Sequence, residues 1–144
     1  MRLLRGVVAI YHNVFNIKFA LISMLANGAI VVCLNWSYGP REFVLAGFWQ
    51  ALASFLSTGI TARIVQHFSV ITSPLPSYFW GSLIPALLTF AFSFGVHVEN
   101  GTPEFLASWG TPTAISFITS FVTNYITRRG YLLPGNHPKK KGLL

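Results

Sequence analysis

Residues 43–62 read FVLAGFWQALASFLSTGITA and lie between Glu42 and Arg63, with no Asp, Glu, Lys or Arg inside. An uncharged, mostly apolar run of that length, closed by charge at both ends, is what a helix needs to cross a bilayer core of about 30 Å. The same reading extends to both sides. Segments 19–40, 64–98 and 105–127 are equally free of charge. The charges between the segments are sorted by sign. Arg2, Arg5, Lys18, Arg63, Arg128, Arg129 and Lys139 to Lys141 fall on one side of a four-pass arrangement. Arg41 and all three acids, Glu42, Glu99 and Glu104, fall on the other. Nine of the ten basic residues thus share a side. The positive-inside rule then predicts an integral membrane protein of the bacterial inner membrane with both termini cytoplasmic.

Composition agrees with an all-α, four-transmembrane-helix bundle. The chain is 53% hydrophobic and 9% charged, against about 25% charge in soluble domains. Its net charge of +7 does not imply nucleic acid. The basic groups sit at span ends and in the tail, where they meet anionic lipid headgroups. The one cysteine, Cys33, lies in an apolar run. No internal disulfide and no Cys/His metal spacing follow from it, so neither a metal nor a cofactor is expected. No short apolar core with a cleavage site follows the N-terminal bases, so a signal peptide is not expected.

Along the chain, residues 3–17 have an amphipathic period. Leu3, Leu4, Val7, Val8, Tyr11, Val14 and Phe15 fall on one face, and Arg2, Arg5, His12, Asn13 and Asn16 fall mainly on the other. This predicts a helix lying in the headgroup region. Spans are expected at about 19–36, 43–64, 78–98 and 112–128, in a single membrane domain of residues 1–129. Residues 130–144 would form a basic cytoplasmic tail. Ser73-Pro74-Leu75-Pro76 is too proline-rich for a helix interior and predicts a loop, and Pro85 predicts a kink near Gly81. Thr111-Pro112 predicts the start of the last helix. His97, Glu99 and Glu104 are expected in a solvated outer loop. Matches at an offset of 62, such as Gly39/Gly101, Glu42/Glu104, Phe43/Phe105, Ser54/Ser116 and Thr61/Thr123, suggest two parallel helical-hairpin repeats.

Two groups of residues carry the functional reading. Ser54, Ser57, Thr58 and Thr61 recur at helical spacing in span two. Ser116, Thr119, Ser120, Thr123 and Asn124 do so in span four. Hydroxyl faces avoid lipid, so these stripes are either close-packing seams or a polar track for a headgroup. Ala26 to Ala29 form another patch of close contact. Arg63 and His67 after span two, with Arg128 and Arg129 after span four, are candidate contacts for phosphate or headgroups. Snorkelling to lipid is the alternative. There is no Asp in the chain, and no nucleophile–base–orienter set is visible, which argues against hydrolytic catalysis.

The chain resembles the GtrA-like family of small four-span proteins in length, topology and the paired ends of spans two and four. Those ends are Ser54-Phe55 through Arg63-Ile64-Val65-Gln66-His67-Phe68 and Ser116-Phe117 through Asn124-Tyr125-Ile126-Thr127-Arg128-Arg129. It departs in having Ala62 opposite Asn124 and a long loop after span three. The resemblance implies a translocator of a polyprenyl-phosphate-linked sugar, or an accessory to one. The residues themselves first suggest a non-enzymatic subunit of a larger inner-membrane complex, with membrane lipids and other membrane subunits as partners. A membrane enzyme is the third reading.

Overall fold

A computed structural model describes residues 15–132. Four helices follow one another: α1 (Ile17–Leu34), α2 (Pro40–Ser69), α3 (Pro74–Glu99) and α4 (Phe105–Leu132), with a short 3-10 turn at Trp36–Tyr38 between the first two. Among the described residues there is no strand. All four helices are long and apolar enough to cross a membrane. The predicted interfacial helix 3–17 lies outside the described residues except for its last three. Asn16 caps the start of α1, its Oδ1 accepting from the Phe19 N–H at 3.4 Å, and Ile17 is already the first residue of that helix. The tail likewise lies outside, apart from its first three residues, which continue α4.

The distribution of side chains is the reverse of a water-soluble core. Ile22, Leu25, Phe48, Leu87, Ile118 and Ile126 face outward. Asn27, Asn35, Gln50, Ser54, Ser93, His97 and Asn124 are buried among small residues such as Ala20, Ala46 and Ala53. With hydrocarbon as solvent, apolar side chains lose nothing by facing out, while polar groups must find partners inside. The interior is therefore held by hydrogen bonds and close backbone approach. At the crossing of α1 and α2, a Cβ added to Gly28 would lie 3.0 Å from the Ala51 Cβ and 3.2 Å from the Gly47 carbonyl oxygen. A Cβ on Gly47 would overlap Val32.

Helices adjacent in sequence are adjacent in space. α1 packs on α2, α2 on α3 and α3 on α4, while α1 and α4 barely touch. They are joined at the end carrying the α1–α2 and α3–α4 turns, called here the loop end. There the buried Asn35 donates to the Ser108 hydroxyl at 3.0 Å and accepts from the Glu104 N–H at 3.1 Å. The Tyr38 hydroxyl donates to Glu104 at 2.5 Å. The opposite end carries the α2–α3 turn and the close of α4, and is called the terminal end.

Three local expectations change. Pro74 and Pro76 do not exclude helix, because they sit in the first turn of α3, where backbone N–H groups have no helical acceptor. Thr111-Pro112 does not start the last helix. α4 begins at Phe105 and runs through Pro112, because Asn35 anchors the Glu104 N–H at its true start. His97 is not in a loop but in the last turn of α3, and it is fully buried.

Candidate functional site

Because α1 and α4 diverge from their junction at the loop end, a cavity of about 420 Å³ opens between them, floored by α2. α1 lines it with Phe19, Ile22, Ser23, Ala26 and Asn27, and α2 with Thr58, Thr61, Ala62, Val65 and Gln66. α4 contributes Ile115, Ser116, Thr119, Ser120, Thr123 and Thr127, and α3 adds Thr89. Most of these residues carry a hydroxyl or an amide, and none is charged. From Ile115 to Thr127 the groove follows α4 for about 18 Å, at 1.5 Å per residue.

The predicted stripes divide between this groove and the packed interior. Thr58, Thr61, Ser116, Thr119, Ser120 and Thr123 line the groove. Ser54 and Ser57 are buried behind it, and Asn124 is buried against α3. Thr58 donates to the Ser23 hydroxyl at 2.8 Å, and Thr89 donates to Ser116 at 2.9 Å. The Thr119 hydroxyl turns back to the Ile115 carbonyl at 2.7 Å. Thr61 and Ser57 make only long contacts of 3.5 Å to carbonyls of their own helix. Ser120 is 8% exposed, lines the groove, and has no hydrogen-bond partner among the described residues.

Behind the groove lies a network that sequence reading missed. His97 contacts the Thr102 hydroxyl through Nδ1 at 2.8 Å and the Gln50 Oε1 through Nε2 at 2.9 Å. Gln50 Nε2 donates to Ser54 at 2.9 Å and to Ser93 at 3.2 Å. Asn27 Nδ2 donates to Ser54 at 3.1 Å and to Ser23 at 3.0 Å. A polar chain thus runs from Thr102 at the loop end to Asn27, Ser23 and Thr58 on the groove wall. Gln50 carried a signal, being an amide within a membrane-length span, where a polar residue needs a partner. His97 carried none, because its neighbours Glu99 and Asn100 read as a turn.

The basic candidates do not form one cluster of equivalents. Arg128 is buried and donates through Nη1 to the Ile71 carbonyl and through Nη2 to the Thr72 carbonyl, the latter at 2.5 Å. Its guanidinium carbon also lies 5.9 Å from the Tyr78 ring centroid. Holding the α2–α3 turn accounts for this arginine without a phosphate. Arg129 lies over the Tyr125 ring at 4.5 Å. Arg63 donates to Gln66 Oε1 at 2.9 Å, beside the terminal end of the groove. His67 is exposed, its ring edge-on to Phe68. Among the described residues, no group of three or more His, Cys, Asp or Glu is placed to hold a metal ion.

Comparison with protein-family models, with curated proteins and with solved structures finds no match for this chain.

Proposed function

We propose that the protein is a non-enzymatic membrane component that receives the headgroup of a membrane lipid in the groove between α1 and α4, as a translocator of a lipid-linked polar group or the accessory subunit of one. The observation that carries this reading is the groove lining: hydroxyl and amide residues set among apolar ones, with Ser120, 8% exposed, making no hydrogen bond among the described residues. A polar group at membrane depth is costly unless it meets another. A ligand whose tail stays in lipid while its headgroup enters the groove supplies that partner. The reading agrees with what the GtrA-like resemblance implies, a polyprenyl-phosphate-linked sugar. In it, Arg63 beside Gln66, with exposed His67 and Arg129, are the contacts for a headgroup phosphate. The interfacial helix at 3–17, the parallel hairpin repeats, the bacterial inner membrane and the cytoplasmic termini belong to the same proposal.

The second reading, a structural subunit of a larger membrane complex, draws on the small size of the lining side chains, since such seams also accept a neighbouring helix. Native mass spectrometry of the full chain, purified in mild detergent, separates the two. The expected result is retained lipid, lost from Ser120→Leu and Thr123→Leu proteins that still elute as the wild type does. A lipid-free chain that crosslinks through Ser120→Cys to a helix of a co-purifying membrane protein would reject the headgroup reading in favour of the subunit.

A further inference from the structure

The hydrogen bonds behind the groove have a direction, and that direction decides what the groove offers a ligand. With the Gln50 amide oriented as in the structure, its Oε1 accepts at 2.9 Å from His97 Nε2, which in that arrangement carries the proton. In the neutral ring, Nδ1 is then the acceptor for the Thr102 hydroxyl. With its oxygen used by His97, Gln50 turns both amide hydrogens inward, to Ser54 and Ser93. The Ser54 hydroxyl oxygen also receives a hydrogen from Asn27, whose second amide hydrogen goes to Ser23. Both Asn27 donors are consumed. Its Oδ1 receives no hydrogen bond among the described residues, although Asn27 is only 7% exposed and lines the groove.

We infer that Asn27 is a specificity-determining residue of the groove, presenting an oriented acceptor that selects headgroups bearing hydrogen-bond donors. His97, Gln50 and Ser54 are positioning residues that hold its amide at the groove wall. The class of ligand follows. Among the described residues the groove wall has no charge, so neither a bare anion nor a cation is matched there. The wall's hydroxyls both give and accept, and Asn27 adds a fixed acceptor. Neutral groups rich in hydroxyl or amide N–H fit this pattern, whereas a headgroup with acceptors alone leaves Asn27 Oδ1 buried and unpaired. This inference rests on the headgroup reading and adds to it the chemistry of the selected group.

The test is a competition. The full chain is reconstituted in nanodiscs containing equal amounts of glucosyl-diacylglycerol and phosphatidylcholine, whose headgroup has no donor, and retained lipid is weighed by native mass spectrometry. Wild type should retain the glucosyl lipid in preference by at least about fivefold, the effect of one neutral hydrogen bond of about 1 kcal/mol. Asn27→Leu, close in volume but without an acceptor, should bring the ratio near one. Gln50→Glu, which keeps shape but removes the donors to Ser54 and Ser93, should lower it at unchanged occupancy, an effect that simple packing would not produce. If Asn27→Leu does not assemble, Asn27→Ala, which also lacks an acceptor, replaces it, with the same loss of preference expected. An assembled variant that keeps the wild-type ratio overturns the assignment, as does a wild-type preference for phosphatidylcholine. A wild type that retains neither lipid removes the headgroup reading as well, whereas retention without preference removes the role of Asn27 alone.

Discussion

Gly81→Ala tests how the α3–α4 contact is made. A Cβ at Gly81 would overlap the Asn124 amide nitrogen and come within 3.1 Å of the Phe68 Cβ. Asn124 is buried and has nowhere simple to go. Its Nδ2 donates to the Ser77 carbonyl at 2.7 Å, and its Oδ1 accepts from the Ser77 hydroxyl at 3.1 Å. Overpacking costs about 1–3 kcal/mol. Losing two hydrogen bonds inside a membrane bundle adds about 0.6 kcal/mol each. Alanine returns about 1 kcal/mol of helix propensity over glycine. The net expectation is a loss of roughly 1–3 kcal/mol. Asn124→Ala alone removes the same bonds and leaves a void. In the double variant the methyl group added at position 81 occupies part of that void, so the two effects should not add, with a coupling of about 1 kcal/mol or more in favour of the pair. Unfolding of all four proteins by denaturant titration in one detergent, followed by circular dichroism, measures the cycle. Additive effects, or a Gly81→Ala protein as stable as wild type, would refute the contact as described.

Arg128→Lys should destabilise the α2–α3 turn by about 1–2 kcal/mol, because an ammonium cannot hold the Ile71 and Thr72 carbonyls as a fork does; limited proteolysis at 70–74 reads this, and Arg129→Lys should leave the turn unchanged. Labelling by an impermeant thiol reagent, in a Cys33→Ala background, should reach Ser37→Cys and Asn100→Cys from outside intact cells but not Asn136→Cys; the opposite pattern would reverse the predicted orientation. The hydrogen bond to Glu104, and then its negative charge, raise the Tyr38 pKa above the ordinary value of 10.0. A pKa raised by folding stabilises the folded state below the unfolded value, and this is lost as pH rises through the folded one. Glu104→Gln should therefore move Tyr38 ionisation to lower pH, measured as phenolate absorbance with Tyr38→Phe as the blank.

The four long helices were legible because hydropathy over about 20 residues and charge at the breaks report directly on a bilayer. Boundaries were less legible because proline has two readings. Pro74 and Pro76 suggested a break but lie in a first turn, and Pro112 suggested a start but lies inside α4, whose beginning is set by Asn35 from another helix. The hydroxyl stripes were visible as periodicity. Which of their members line an opening and which face a neighbour depends on the spacing of α1 and α4, and no single helix encodes that. Gln50 and His97 lie 47 residues apart, and nothing local to either announces the other. The basic ends showed the same limit: the sequence placed Arg128 beside Arg129, but only the path of the α2–α3 turn separates a buried clamp from an exposed charge.

The tie at Asn35 also has a mechanical side. α1 packs along α2 and barely touches α4. Among the described residues, the hydrogen bonds that join the end of α1 to the start of α4 form a clasp at the loop end, where Asn35 bridges to Ser108 and Glu104. α1 has 18 residues, so it reaches about 27 Å from that clasp. A relative tilt of about 5° would shift its far end by roughly 2 Å over that length, close to the width of a hydroxyl group, without breaking any contact at the clasp. Such a tilt would widen the groove at the terminal end and leave the loop end shut, so a guest would enter by the first and be held away from the second.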